Sequence, residues 1–217
     1  MTLKTVHLST ADSISSLVEE SVASRAMSLL LLFDEGTEPL HDQFLLAYLR
    51  DREERRYDSV VLLRGELIDD QAAFFREVRR AVHLADYMGG SFDAVEDVLR
   101  VEALSRDHTK RTYWVWRNSH VLSRATPGHF AEAFEVLVVS ARQVSSGFSD
   151  PSGTVKPPWP DWEAQPVIVI LTATWEALGR EASDTHSFLY RLPSRWSPLF
   201  PDLSTGLISV RIRKEGL

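Results

Sequence analysis

Three short apolar runs set the strongest limit on how this chain can fold. Each run has five residues, is rich in β-branched, aliphatic or aromatic side chains and is bounded by turn or polar residues, as is typical of a buried strand. The runs are residues 59–63 (SVVLL), 112–116 (TYWVW) and 167–171 (VIVIL). The segments between them carry apolar residues at helical spacing. This alternation of strands and helices predicts an α/β protein.

The helices between these runs are marked by their first turns and their apolar stripes. Residues 69–82 begin with two aspartates, which suit a helix N-terminus because its dipole attracts negative charge. Further helices are expected at about 92–99 and 129–144. Residues 145–165 are rich in Pro, Ser, Gly and Trp, and we interpret them as a long loop, either an insertion with its own role or partly disordered.

The two ends of the chain differ in character from the middle. Residues 1–56 are expected to form an extension of uncertain fold, with short strands near 4–8 and 28–33 and a helix after each. Residues 176–217 form a C-terminal extension that we expect to pack on the main domain. Within it, residues 207–213 alternate between apolar and polar side chains, which predicts an edge or near-edge strand.

Composition narrows the possible partners and compartments. The net charge of −7 disfavours direct binding to nucleic-acid phosphates and favours a basic protein partner. The chain has no cysteine, so disulfides, thiolate nucleophiles and cysteine metal sites are excluded. The first residues do not resemble a signal peptide, and the longest apolar run, 29–33, is too short to span a bilayer. A cytoplasmic location without membrane association is expected.

The most informative segment for function is residues 87–99, YMGGSFDAVEDVL. A Gly-Gly turn leads to Ser91, a good N-cap, and then to a short helix. Asp93 and Asp97 are four residues apart, so they project from one face of that helix and repel each other by a few tenths of a kcal/mol. A surface that receives a cationic partner benefits from this arrangement. The alternative is a pair of solvated carboxylates that the helix dipole stabilises.

At this point the sequence resembles the barstar family, the small inhibitors of secreted bacterial ribonucleases. The resemblance covers about residues 58–171, and its specific part is residues 87–99. It implies a small, mostly parallel sheet with helices packed on it, within a domain at 57–175 that includes the long loop. It also implies a non-catalytic inhibitor or immunity protein that blocks the active site of a basic bacterial ribonuclease or nuclease toxin.

The resemblance also assigns roles to individual residues. Asp93 and Asp97 match the two inhibitory aspartates of the family, and Tyr87 matches the aromatic residue in the loop before the inhibitory helix. We expect three neighbours to join the binding surface, namely Gly89, Gly90 and Glu96. Such carboxylates would enter the pocket that binds the substrate phosphate, because the Arg, Lys and His donors of that pocket bind a carboxylate equally well.

The segment also departs from the family pattern. Met88 replaces the second residue of an aromatic pair, Gly90 stands where a polar residue is usual, and Ser91 stands where Asn is usual. Glu96 occupies a position that is often Trp. These changes point to an altered but still basic target.

Other functions find little support in the sequence. The seven histidines show no metal-binding spacing, and phosphate-loop, dinucleotide-binding and serine-hydrolase motifs are absent. We therefore expect no cofactor, no metal and no catalysis. Trp114 and Trp116 share one face of a strand and are expected in the core. The alternative function is a regulatory or scaffold module that binds proteins through residues 157–162 (PPWPDW) or through a sheet edge.

Overall fold

The computed structural model describes the elements of one sheet, the helices that cover it and a short hairpin. In chain order they are β1 (Leu3–His7), β2 (Met27–Asp34), α1 (Leu40–Glu54), β3 (Asp58–Arg64), a 3-10 turn (Gly65–Leu67), α2 (Gln71–Ala81), α3 (Phe92–Leu104), β4 (Arg111–Arg117), α4 (His120–Ala125), α5 (Pro127–Ser146), β5 (Phe148–Ser149), β6 (Val155–Lys156), β7 (Val167–Thr174) and β8 (Leu207–Arg213). The described residues are 3–7, 15–16, 18–19, 27–34, 40–54, 58–82, 89–104, 111–146, 148–149, 155–156, 166–174 and 207–213.

The main sheet has six strands in the order β1, β8, β2, β7, β4, β3, and every neighbouring pair is parallel. The predicted α/β class is therefore confirmed. The three apolar runs of the sequence are β3, β4 and β7, and they lie side by side at one end of the sheet. Strands from both terminal segments extend the sheet beyond these three strands. The near-edge position predicted for residues 207–213 is observed, since β8 lies between β1 and β2.

The two faces of the sheet are covered by different helices. On one face, Trp114 and Trp116 belong to a buried cluster shared with α2, α3 and α5. On the other face, Tyr113 and Val115 belong to a second cluster shared with α1. The chain moves across the sheet in one direction from β2 to β3 and then reverses through β4 to β7. Right-handed crossovers therefore place α1 opposite to the later helices.

Within residues 145–165, the structure describes the end of a helix and two short strands where the sequence indicated a loop. The helix α5 continues to Ser146, and β5 and β6 form an antiparallel pair in which Phe148 faces Lys156. Strands of two residues are too short to show a periodic pattern, so the sequence did not reveal them. The PPWPDW segment at 157–162 lies outside the described residues.

A polar network ties the N-terminal part of the chain to the sheet. Arg111 Nη1 donates to both carboxylate oxygens of Glu19, at 2.9 and 2.8 Å. The hydroxyl of Tyr48, on α1, lies 3.0 Å from that of Tyr113 and 3.4 Å from Glu19 Oε1. Burial, reinforced by the hydrogen bond with Tyr113, raises the pKa of Tyr48. Val18 beside this network is fully buried, so apolar and polar contacts hold the same segment.

Gly65 is required for the close approach between the end of β3 and the end of β4. The Cβ of an alanine there would lie 1.8 Å from the carbonyl oxygen of Arg117 and 2.8 Å from that of Asn118. Both obstacles are backbone atoms, so the turn itself must move. We expect Gly65→Ala to lower the free energy of unfolding by about 2 kcal/mol, measured by urea denaturation.

The control for this substitution is Gly128→Ala. Gly128 is exposed, and a Cβ there meets no atom within 4 Å. Alanine also favours the first turn of a helix more than glycine does. Equal unfolding midpoints for the two variants would contradict the steric role of Gly65.

Candidate functional site

The acidic helix α3 begins as the sequence predicts. Ser91 Oγ accepts a hydrogen bond from the backbone N–H of Ala94 at 3.2 Å, so Ser91 caps the first turn. Phe92 packs against two aromatic rings of α2, with centroid distances of 6.0 Å to Phe74 and 5.2 Å to Phe75. These contacts hold the N-terminal end of α3 against α2. The helix continues to Leu104, more than one turn beyond the predicted end.

The predicted site residues differ in what the structure shows of them. Asp93 and Asp97 are exposed on α3, and the side chain of Asp97 is 70% exposed. Gly89 and Gly90 are exposed directly before the helix, and Glu96 is partly buried. We refer to these five residues, which lie on α3 or directly before it, as the α3 surface. Tyr87, like Met88, lies outside the described residues, so its place relative to this surface stays a prediction.

Arg100 is a charged group of this surface that the sequence reasoning overlooked. Its Nη2 donates to Asp97 Oδ1, and its Nη1 lies 3.5 Å from Glu96 Oε1. Its Nη1 also donates to Gln143 Oε1 on α5 at 3.1 Å. The spacings of three and four residues to the two acids were visible in the sequence. The contact with Gln143 required the packing of α3 against α5.

The two aspartates are consequently not equivalent. Asp97 has a guanidinium from its own helix against its carboxylate. For Asp93, the described part of the chain supplies no ion pair or side-chain hydrogen bond. Asp93 lies in the first turn of α3, where the helix dipole contributes a positive potential. Asp93 is therefore the carboxylate that an external cation reaches with less internal competition.

Among the described residues, few other groups suggest a chemical function. Trp114 and Trp116 are each 1% exposed, which confirms the predicted core role. Within the described ranges, no three His, Asp or Glu side chains come together as metal ligands. None of the helices in those ranges is long and apolar enough to cross a membrane.

Comparison with known families supports the class of protein that this helix suggests. Residues 59–150 match the family model described as Barstar (barnase inhibitor). The predicted resemblance is thus confirmed over a segment of the chain that contains β3 except its first residue, β4, the acidic helix α3 and all of α5. This segment is barstar-like, and the family's description is that of an inhibitor rather than an enzyme. No curated protein matches the chain in sequence.

Similar solved structures come from larger proteins. A chain from the Drosophila ORC bound to poly(dA/dT) DNA and Cdc6 shares 11% identity, with a TM-score of 0.49, over 94% of this chain and 28% of that one. A chain from the Drosophila ORC bound to AT-rich DNA and Cdc6 shares 14% identity, with a TM-score of 0.47, over 95% of this chain and 29% of that one. This chain thus spans less than a third of their length. Both TM-scores are below 0.5, so these likenesses carry no functional argument.

Proposed function

We propose that this protein is a barstar-like inhibitor that binds and blocks the active site of a basic bacterial ribonuclease or nuclease-type toxin. It acts without catalysis or cofactor, as a cytoplasmic immunity protein. The observation that carries the proposal is the location of α3. This helix exposes two aspartates one turn apart, and it lies inside the segment that matches an inhibitor family.

The chemistry of such an inhibition follows from the target. A nuclease active site concentrates Arg, Lys and His donors around the substrate phosphate, and a carboxylate can accept the same hydrogen bonds in bidentate geometry. Asp93 and Asp97 each present a carboxylate on one exposed helix face. The net charge of −7 attracts a basic partner over long range and accelerates encounter. The protein therefore needs no cleft of its own.

The alternative scaffold function receives less support from the described residues. Strand β8 is hydrogen-bonded on both sides, so it cannot accept an additional strand. At the outer strand β3, the backbone N–H of Arg64 donates to Glu77 at 2.9 Å, and Arg80 donates to the carbonyl of Leu62 at 2.5 Å. These side chains occupy backbone groups that strand addition would use.

The proposal is tested by affinity capture from the producing organism with three baits. They are the wild-type chain, the double variant Asp93→Ala/Asp97→Ala and the control Glu53→Ala/Glu54→Ala. The control removes the same charge from exposed positions on α1, which covers the opposite face of the sheet. We expect the wild type and the control to retain a small basic nuclease or nuclease domain that the double variant loses.

Other outcomes have clear meanings. Identical partners on all three baits would contradict the proposal and show that the two aspartates of α3 do not contribute to partner binding. Loss of the partner from both variants would show that overall charge, rather than the acidic helix, determines binding.

A further inference from the structure

We infer that Arg100 competes with a cation of the partner for the Asp97 carboxylate, and that this competition makes Asp93 the dominant anionic contact. This inference rests on the proposed function. It identifies Arg100 as the residue of the α3 surface that determines binding affinity and partner choice. Its basis is that the Arg100 guanidinium already occupies the Asp97 carboxylate.

Arg100 is held in this position by contacts on two helices. Besides Asp97, it contacts Glu96 on its own helix and Gln143 on α5. Its side chain is only 20% exposed, whereas that of Asp97 is 70% exposed. Ordering a long arginine side chain costs conformational entropy, and here the contacts with several acceptors together offset that cost. The guanidinium is therefore prepositioned against the face that a partner approaches.

The consequence for binding is an exchange of one ion pair for another. A partner arginine that engages Asp97 must either displace Arg100 or lie beside it, and two cations in a desolvated interface repel each other. Asp93 requires no such exchange with any described residue. The surface thus presents one available carboxylate and one neutralised pair. It suits a partner whose positive charge is concentrated opposite Asp93.

The test does not depend on identifying the natural partner. A hexa-arginine peptide is titrated into the full-length protein, and its affinity and the side-chain carboxylate NMR shifts of both aspartates are followed. The variants are Arg100→Gln and, as a matched control, Arg76→Gln, which removes one positive charge from an exposed position on α2. Circular dichroism and urea midpoints establish that the variants are folded.

In the wild type we expect the peptide to perturb Asp93 more than Asp97. Arg100→Gln should tighten peptide binding about three- to fivefold more than Arg76→Gln does and bring the two aspartates to similar responses. Equal effects of the two variants, or weaker binding by Arg100→Gln, would overturn the inference. The titration is separate from affinity capture, so failure to capture a nuclease would refute the proposed function without deciding the role of Arg100.

Discussion

Asp93→Ala is expected to weaken binding of the basic partner by about 3 kcal/mol, or roughly 150-fold in Kd. In the proposed complex Asp93 would be desolvated against a cation, and its removal would leave that cation buried without a counter-charge. The barnase–barstar pair is itself a standard example of such charged contacts, and this magnitude is the one known for interfaces of that class. Isothermal titration calorimetry with the captured partner measures the loss.

Asp97→Ala serves as the internal comparison. Its loss of binding affinity should be smaller than that of Asp93→Ala because the wild-type Asp97 must first give up Arg100.

The association rate of the wild type should fall steeply with salt, since the Debye length shrinks from about 10 Å at 0.1 M to about 3 Å at 1 M. A nearly salt-independent rate together with wild-type affinity for Asp93→Ala would refute the electrostatic mechanism.

Glu77→Gln is expected to lower the free energy of unfolding at pH 7 by about 3 kcal/mol. The Glu77 side chain is 5% exposed and accepts hydrogen bonds from Arg64 Nε at 2.9 Å and from Arg80 Nε at 2.9 Å. Burial alone would raise the pKa of Glu77, but the hydrogen bonds from Arg64 and Arg80 outweigh it and lower the pKa from 4.5 to about 2. Glutamine resembles the protonated acid and cannot hold both guanidinium groups as strongly.

The pH dependence follows from the direction of this shift. Because the folded pKa is the lower one, the Glu77 contribution is fully present above pH 4.5 and is lost as the pH falls toward 2. Urea unfolding across this range should show a steep acid loss in the wild type and a flatter one in Glu77→Gln. Glu132→Gln, at an exposed position on α5, is the control and should keep the wild-type profile. A wild-type profile in Glu77→Gln would contradict the assignment.

This ionic cluster also bears on the acidic helix. Glu77 joins α2 to the last residue of β3, and Phe74 and Phe75 of α2 hold Phe92 at the beginning of α3. A weakened Glu77 cluster is therefore expected to loosen the position of α3 as well as the fold.

Local features of this protein could be predicted from the sequence because they depend on neighbouring residues. The runs 59–63, 112–116 and 167–171 have the length and composition of buried strands, and they are β3, β4 and β7. Ser91 caps α3 because a short polar side chain before a helical pattern satisfies a free backbone N–H. The shared face of Asp93 and Asp97 follows from the helical period alone.

Features that depend on distant residues were decided by the tertiary structure. The position of β8 between β1 and β2 results from pairing between the two ends of the chain, and no local pattern encodes a strand's neighbours. Glu77 is buried with its charge paired because β3 brings Arg64 to it, a contact between residues far apart in the sequence. Gln143 reaches Arg100 only because α5 packs against α3. The sequence by itself thus determined which carboxylates are presented and on which helix, since that depends on spacing. Only the tertiary structure decided how Arg100 is held against Asp97, since its contact with Gln143 depends on the packing of α5 on α3.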